Sequence, residues 1–355
     1  MDDKRHIAVL MGGPSHEHEI SLLSGKAVVE NLDRDRYKVT PVIITHANKW
    51  IFYTDKITDG SIQFDRSTCP IYGEFSLVGA LQQFASLNVE CIFNAMHGPY
   101  GEDGIVQGMF EAVGISYTGS PVLASSVAMD KIAYKHLITG AGIPTAQWST
   151  IQIRSEAEID TGIETILNTT GLPCVLKTPS SGSSIGVELC ETRESLSRSL
   201  RALRKLDTRF LVEKFLEGRE FTCAILGNAY EPRQIALPPT EIISKNTFFD
   251  YEAKYSPEKA EELTPAPIDE SLTAYIQQTA LAVHNILGCK GVSRTDFIWH
   301  NEELYVLETN TLPGLTVHSL LPKAACAAGI TMPELLDKII RFALLAPSHR
   351  LEPSL

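Results

Sequence analysis

Short apolar runs alternate along this chain with glycine-bearing turns and with stretches of mixed polarity. Residues 6–10 read as a buried strand that runs into Met11-Gly12-Gly13-Pro14-Ser15, and a helix is predicted to start near Ser21. The alternation continues with a strand near 38–44 and another at 89–95 that ends in Met96-His97-Gly98. After Gly101-Glu102-Asp103-Gly104 the pattern predicts a helix through Glu111, then a short strand and Gly119-Ser120. Strand–turn–helix repetition implies a mostly parallel sheet with ligands at the carboxyl ends of its strands. The stretch 48–79 reads as irregular and polar, with no function assigned to it.

A second unit begins near Asp130-Lys131, with a helix that ends at Gly140-Ala141-Gly142 and strands near 147–153, 173–177 and 209–215. The third starts near Gly218 and holds strands through Ile235, a helix near 272–287, a hairpin and a helical tail. Between them the stretch 238–267 has little periodicity, which in a compact enzyme is the mark of a lid. No internal repeat or low-complexity tract is present.

The hairpin carries the sharpest chemical signal. A strand-like run, 291–300, meets a second, 304–310, across the polar turn Asn301-Glu302-Glu303. Folding about that turn brings Asp296 nearly opposite Glu308, and the two-residue period puts Glu308 and Asn310 on one face. A few hard oxygen ligands with room left for water and phosphate suit Mg²⁺ bound to a nucleotide. Arg294 shares the face of Asp296, where it can stabilise developing negative charge. A solvated acidic face is the plain alternative, but Phe297, Ile298, Trp299, Val306 and Leu307 predict a half-buried hairpin whose charges need partners.

Composition narrows the class. At 355 residues the chain suggests two or three domains, and 44% apolar with 21% charged residues is globular usage. A net charge of −12 argues against a nucleic-acid surface, though not against a local phosphate pocket. Seven scattered cysteines without a C-x-x-C pair read as free thiols of a reducing compartment. With no signal-type segment and no apolar run of membrane-spanning length, a cytoplasmic location and no membrane partner are expected.

Other motifs are individually weak. The loop 179–186, Pro-Ser-Ser-Gly-Ser-Ser-Ile-Gly, follows a strand bearing Lys177, so backbone N–H groups, hydroxyls and an ammonium could all face phosphate; an ordinary Ser/Gly turn is the alternative. It lacks the Gly-Lys-Ser/Thr of a Walker A loop, and Gly12-Gly13 lacks the spacing of a dinucleotide fold. Glu17, Glu19 and His97 follow strand ends of the first unit, where a carboxylate could hold a substrate ammonium or merely decorate a helix start. The run Glu213-Lys214-Phe215-Leu216 reads as an edge strand whose backbone is open to a purine, with Glu220 near ribose hydroxyls; a solvated turn is the alternative. Aromatic residues in 249–255, Phe-Asp-Tyr-Glu-Ala-Lys-Tyr, either pack a lid down or touch ligand.

In order and spacing the set resembles the D-alanine–D-alanine ligase family of the ATP-grasp superfamily, over almost the whole chain. The resemblance rests on Gly12-Gly13 with Ser15, Glu17 and Glu19; His97-Gly98 and 101–104; Met129-Asp130-Lys131; and Lys177 with 182–184. It continues through Glu213-Lys214, Glu220-Phe221-Thr222, 250–255, Arg294-Thr295-Asp296, Glu308-Thr309-Asn310, Pro313-Gly314 and His318-Ser319-Leu320.

What the resemblance implies is an α/β protein, α+β in parts, of three-domain ATP-grasp architecture: an N-terminal parallel α/β substrate domain 1–130, a central domain 131–216, and a C-terminal domain 217–355 with a lid at about 240–263. The implied activity is ATP-dependent joining of two D-alanines through an acyl phosphate, for peptidoglycan synthesis. By resemblance, Lys131, Lys177, Ser183, Ser184, Lys214 and Lys254 belong to the ATP site, Glu213 faces adenine and Glu220 ribose. Asp296, Glu308 and Asn310 would bind two Mg²⁺ ions, with Mn²⁺ a possible substitute. Glu17 and His97 would serve the first D-alanine, and Ser319, Leu320 and Lys254 the second. Arg294 and Gly314 would face the tetrahedral centre, while Glu17, Ser183 and Tyr255 would tie the lid shut. A homodimer is also implied.

Two features depart from the family pattern: Thr178-Pro179-Ser180-Ser181 before the glycine loop and Phe249 in place of a common tyrosine. The alternatives are a ligase forming the ester D-alanyl-D-lactate, against which Tyr255 speaks, and a non-catalytic nucleotide-binding regulator.

Overall fold

Strand β1 (Arg5–Gly12) is buried along all but its first residue. In the computed structural model, which describes residues 4–54, 71–180, 186–244 and 260–345, it forms the middle of a six-stranded sheet. With β2 (Tyr37–Ile44), β3 (Trp50–Tyr53), β4 (Ile71–Phe75), β5 (Cys91–Asn94) and β6 (Ser116–Tyr117), the order is β4-β3-β2-β1-β5-β6. The four strands β2, β1, β5 and β6 run parallel, and β3 and β4 add antiparallel to one edge. Helix α1 (His18–Asn31) starts three residues earlier than the hydrophobic pattern placed it.

Of the stretch 48–79, expected to be irregular, residues 55–70 lie outside the described residues; the described part supplies β3, β4 and the beginning of α2 (Leu77–Ser86), and Trp50, Ile51, Phe52 and Tyr53 are all buried. A strand covered on both faces shows no alternation, and four residues are too few for a periodicity to register. Phe84 of α2 packs edge-on to Trp50 and tilted against Phe52, which anchors this edge. Helix α3 (Ile105–Val113) follows β5.

Helices α4 (Val122–Met129) and α5 (Lys131–Gly140) lead into a second, wholly antiparallel sheet, β7-β10-β8-β9. Its strands are β7 (Trp148–Gln152), β8 (Cys174–Lys177), β9 (Val187–Cys190) and β10 (Arg209–Lys214). Helices α6 (Ile159–Thr169) and α7 (Arg193–Leu203) cover it; neither they nor β9 was expected from the pattern. Because β7 and β8 flank β10 on both sides, the edge-strand reading of Glu213-Lys214 is wrong: Glu213 lies opposite Trp148 on one side and Val175 on the other. Phe210, Leu211 and Val212 are fully buried, as fits a strand paired on both sides.

The third sheet has the order β14-β13-β11-β15-β16, with β12 (Ile235–Ala236) also on β11. Its other strands are β11 (Arg219–Leu226), β13 (Thr240–Ser244), β14 (Ala260–Leu263), β15 (Val292–His300) and β16 (Glu303–Asn310). The proposed lid stretch therefore begins and ends in paired strands, β13 against β14, and its residues 245–259 lie outside the described residues. Helix α8 (Glu270–Leu287) packs on this sheet, and α9 (Leu320–Ala327) and α10 (Met332–Leu345) close the fold.

Packing crosses the sequence order. Leu335, Ile339 and Ile340 of α10 share one core with Ile7, Val9 and Phe93 of the first sheet. Tyr134 and Ile138 of α5 share another with Phe221, Phe297 and Ile276. No helix among the described residues is long and apolar enough to cross a membrane. The six cysteines among them are unpaired.

Candidate active site

The carboxyl ends of β1 and β5 carry the first part of the site. Gly12 has φ +84°, and a Cβ there would collide with the Ile44 carbonyl, so the chain can turn this tightly only with glycine. The turn delivers Glu17 as the residue before α1. Its carboxylate rests against Gly98, another left-handed position (φ +72°) with no room for a side chain. Ser15 donates to the His97 carbonyl (2.8 Å), and His97 is buried with Nε2 at 2.8 Å from Ser24 Oγ and Nδ1 at 3.4 Å from Glu102 Oε1. Burial raises the Glu102 carboxyl, while His97 and the Gly98 N–H oppose the shift and Glu17 adds to it. The structure thus brings Glu17 and His97 together with Glu102, a residue to which the sequence pattern assigns no role. Glu19 is exposed.

His18, Glu19 and His46 also gather ligand-type atoms within 4.8 Å of one another. The two rings stack at 4.0 Å and 27°, and His18 Nδ1 lies 2.6 Å from the Gly13 carbonyl, so that nitrogen is already engaged.

The second part lies on the acidic hairpin. Asp296 stands directly opposite Glu308 in the β15–β16 ladder, as the folding of the sequence about its turn predicted, and Arg294 stands opposite Asn310. Asp296 is buried, Arg294 reaches it with Nε to Oδ1 and Nη2 to Oδ2 at 3.0 Å each, and Thr222 donates to Oδ1 at 2.5 Å. Burial works against the Arg294 charge, but Asp296 outweighs it with help from Glu308 and Glu102, and the guanidinium is held well above its usual range. Asn310 Oδ1 accepts from the Leu312 N–H at 2.8 Å, which fixes its oxygen. Each carboxylate oxygen has two lone-pair sites, so Asp296 and Glu308 retain acceptor capacity, and with the Asn310 amide they form a hard-oxygen donor set that fits Mg²⁺.

The third part is a cluster of cations. Glu213, 3% exposed, joins Lys135 Nζ at 2.6 Å and Lys177 Nζ at 2.5 Å. Burial alone would raise its carboxyl, and the two lysines overcome that to hold it at about 2. Lys177 is pulled down by burial and pushed up more strongly by Glu213, Glu308 and Glu220, which places all three carboxylates within its field. Asp130 caps α5 by accepting from the Ile132 and Ala133 N–H groups, and the Lys131 N–H donates to the Pro179 carbonyl at 2.9 Å. Lys131 therefore sits at a helix start tied to the glycine-serine loop. The Lys214 ammonium is engaged by the Leu172 carbonyl at 2.9 Å.

At the start of α9, Ser319 Oγ lies 2.8 Å from Thr316 Oγ1, and a Cβ on Gly314 would sit 2.8 Å from that same Oγ. Gly314 and Ser319 are thus neighbours, with Leu320 the first helical residue. Leu312 and Pro313, just before them, border a small space shared with Met96 and His97. Ser183, Ser184, Lys254 and Tyr255 lie outside the described residues.

Residues 6–120 match the family described as D-ala D-ala ligase N-terminus, and residues 137–341 the one described as D-ala D-ala ligase C-terminus. The chain belongs to the D-alanine–D-alanine ligase family. It is 40% identical to the D-alanine–D-alanine ligase of Desulforudis audaxviator over 340 residues, 96% of this chain and 98% of that one. Its structure is similar to the VanG D-Ala:D-Ser ligase of Enterococcus faecalis, at TM-score 0.78 and 29% identity, covering 96% of this chain and 99% of that one. It is also similar to the Bacillus anthracis D-alanine–D-alanine ligase complexed with ATP, at TM-score 0.72 and 29% identity, with 96% and 97% covered. As an ATP-grasp ligase of this family the chain acts in peptidoglycan synthesis.

Sequence reasoning missed Lys135. Its spacing of four from Lys131 on one helix was the available signal, since residues so placed share a face.

Proposed function

We propose that the chain joins two molecules of D-alanine to D-alanyl-D-alanine, converting ATP to ADP and phosphate by way of an acyl phosphate. The observation that carries this reading is the hairpin ladder that sets Asp296 opposite Glu308 and Arg294 opposite Asn310, with Arg294 bonded to both oxygens of Asp296. Leu312 and Pro313, which follow that strand, border a space shared with Met96 and His97, and this supports a reading in which a site for an amino acid ammonium around Glu17 lies near one for phosphate and metal.

A carboxylate is unreactive towards an amine until one oxygen becomes a leaving group. In the first step the carboxylate of one D-alanine attacks the terminal phosphorus of ATP, and ADP departs. Glu17 holds the ammonium of that D-alanine and His97, through Glu102, fixes the surrounding loop. Lys131 and Lys177 neutralise phosphate oxygens. Asp296, Glu308 and Asn310 would hold two Mg²⁺ ions, which when bound supply Lewis-acid compensation for the charge on the transferring group. In the second step the amine of the other D-alanine attacks the acyl carbon, Arg294 and the Gly314 N–H face the oxyanion, and phosphate leaves. Ser319 and the Leu320 N–H at the start of α9 would receive the carboxylate of the attacking D-alanine, since a helix start offers N–H groups to an anion.

The choice of D-alanine as acceptor is supported by the 40% identity to a D-alanine–D-alanine ligase and by Tyr255 in the sequence. The likeness to a D-Ala:D-Ser ligase favours D-serine as the second reading. An assay of ADP release with D-alanine alone, and with D-serine, D-lactate or L-alanine added, followed by product identification, tests both. Dipeptide D-alanyl-D-alanine as the main product is expected, and a mixed dipeptide or ester formed in preference would overturn the acceptor assignment.

A further inference from the structure

Lys135 is the most deeply buried charge of the site, and neither step above uses it. Its side chain is 1% exposed, whereas that of Lys177, on the other oxygen of the same Glu213 carboxylate, is 13% exposed. The three groups sum to one positive charge. Lys135 and Glu213 neutralise each other inside the protein, and the remaining charge is that of Lys177 at the more open side. Were Lys135 uncharged, Glu213 and Lys177 would instead form a closed neutral pair, and a phosphate would have to compete with Glu213 for the ammonium.

Lys135 is tied to the metal-binding hairpin as well. Its Nζ also donates to the Val306 carbonyl at 3.2 Å and contacts Thr145 Oγ1. The Thr145 hydroxyl donates to the same carbonyl at 2.8 Å, and the Val306 N–H donates to the Pro144 carbonyl at 2.9 Å. β16 is the outer strand of its sheet, so these contacts cover its open edge at Val306, two residues before Glu308.

We propose that Lys135 is a positioning residue for nucleotide binding, sharing Glu213 with Lys177 so that the cluster keeps a net positive charge on the Lys177 side for phosphate, and joining that cluster to the strand that presents Glu308. The proposal rests on the ATP reading of the site, and it is tested by binding without turnover. Lys135→Gln removes the charge and keeps a donor for Val306; Lys135→Arg keeps the charge. Calorimetric or competition binding of ATP and of adenosine, each with the full chain, separates a charge effect from a packing effect, because adenosine carries no phosphate.

Lys135→Gln is expected to weaken ATP about tenfold or more while adenosine changes less than about twofold, and Lys135→Arg to restore ATP to within about threefold of the wild type. Equal losses for ATP and adenosine, or an unchanged ATP affinity, would overturn the proposal. If Lys135→Gln does not fold, Lys135→Arg decides it: near-native ATP affinity supports the proposal, and a loss shared with adenosine overturns it. A wild-type chain that binds no ATP would instead refute the functional reading on which this rests.

Discussion

Asp296 faces Glu308 across the β15–β16 ladder only because of a bulge. Phe297 pairs with Val306, so an unbroken ladder would set Leu307 opposite Asp296; the register shifts by one between Asp296 and Phe297, and Glu308 takes that place. One extra residue thus exchanges an apolar side chain for a carboxylate at the position opposite Asp296. Bulges re-aim side chains in this way beside active sites. The carbonyl just before the bulge, that of Val306, is the one held by Lys135 and Thr145.

Replacing Glu308 by Gln tests the donor set at that position. The amide keeps the shape and most of the packing of a half-buried side chain, so the melting temperature is expected to stay within about 5 °C of wild type. Turnover should fall by about a hundredfold or more, since one of two carboxylates that would hold Mg²⁺ loses its charge. ADP release driven by D-alanine at millimolar Mg²⁺, measured beside circular dichroism, decides it; near-normal turnover would remove Glu308 from the metal site.

How far the sequence carried follows from which interactions are local. Asp296, Glu308, Arg294 and Asn310 were legible because a turn and a two-residue period determine which side chains of a hairpin can meet. The bulge was not, because Leu307 looks like any other apolar strand residue. Lys135 was not, because its partners Glu213 and Val306 lie 78 and 171 positions away in sequence and meet it only after the second unit folds and packs on the third. β3 failed for a different reason: Trp50-Ile51-Phe52-Tyr53 is buried on both faces and carries no period. Strand β10 was misplaced at an edge because pairing on both sides depends on which strands come to flank it, a long-range property that composition does not encode.

The acid limb of stability should report Glu213. Its ordinary value of 4.5 falls to about 2 in the folded protein, so folding favours the ionised form. That contribution is complete above about pH 4.5, the unfolded value, and is lost as the pH drops through about 2. Glu213→Gln leaves Lys135 and Lys177 without their shared anion and is expected to lower stability by about 3–5 kcal/mol at neutral pH. The gap to wild type should narrow between about pH 4.5 and pH 2. Melting curves of both proteins across that range test it, and a gap independent of pH would mean that Glu213 is not the group being titrated.

Asp337 pins the last helix to the first sheet. Its Oδ1 accepts from the Tyr37 hydroxyl at 2.6 Å and lies 2.6 Å from Arg36 Nη1, and its Oδ2 lies 2.8 Å from Arg341 Nε. Both arginines are largely exposed, so their pairing with it adds little. The buried Tyr37 bond is the larger part. Asp337→Ala, which strands that hydroxyl, should destabilise the protein by about 1–3 kcal/mol, and Tyr37→Phe by about 1 kcal/mol. Denaturant midpoints of the two variants and their combination measure this; full additivity would show that the two side chains do not act through one bond.

Gly98→Ala is aimed at the first substrate. Gly98 has φ +72°, where a side chain is already strained, and the added Cβ would occupy the place of the Glu17 carboxylate. The backbone there is held on both sides, by Ser15 on the His97 carbonyl and by Glu102 on the Gly98 N–H at 3.1 Å. Glu17 is therefore the group that must move. A carboxylate displaced by about 1 Å from an ammonium weakens a charge-assisted hydrogen bond, so the KM for D-alanine at its first site should rise about tenfold or more. Because Lys131 and Lys177, proposed to contact the nucleotide, lie on other elements, the KM for ATP is expected to change by less than about threefold. Kinetics with D-alanine and ATP varied separately distinguish the two effects. Equal increases in both KM values would show that the substitution disturbs the fold as a whole, and no change in either would mean that Glu17 does not hold the ammonium.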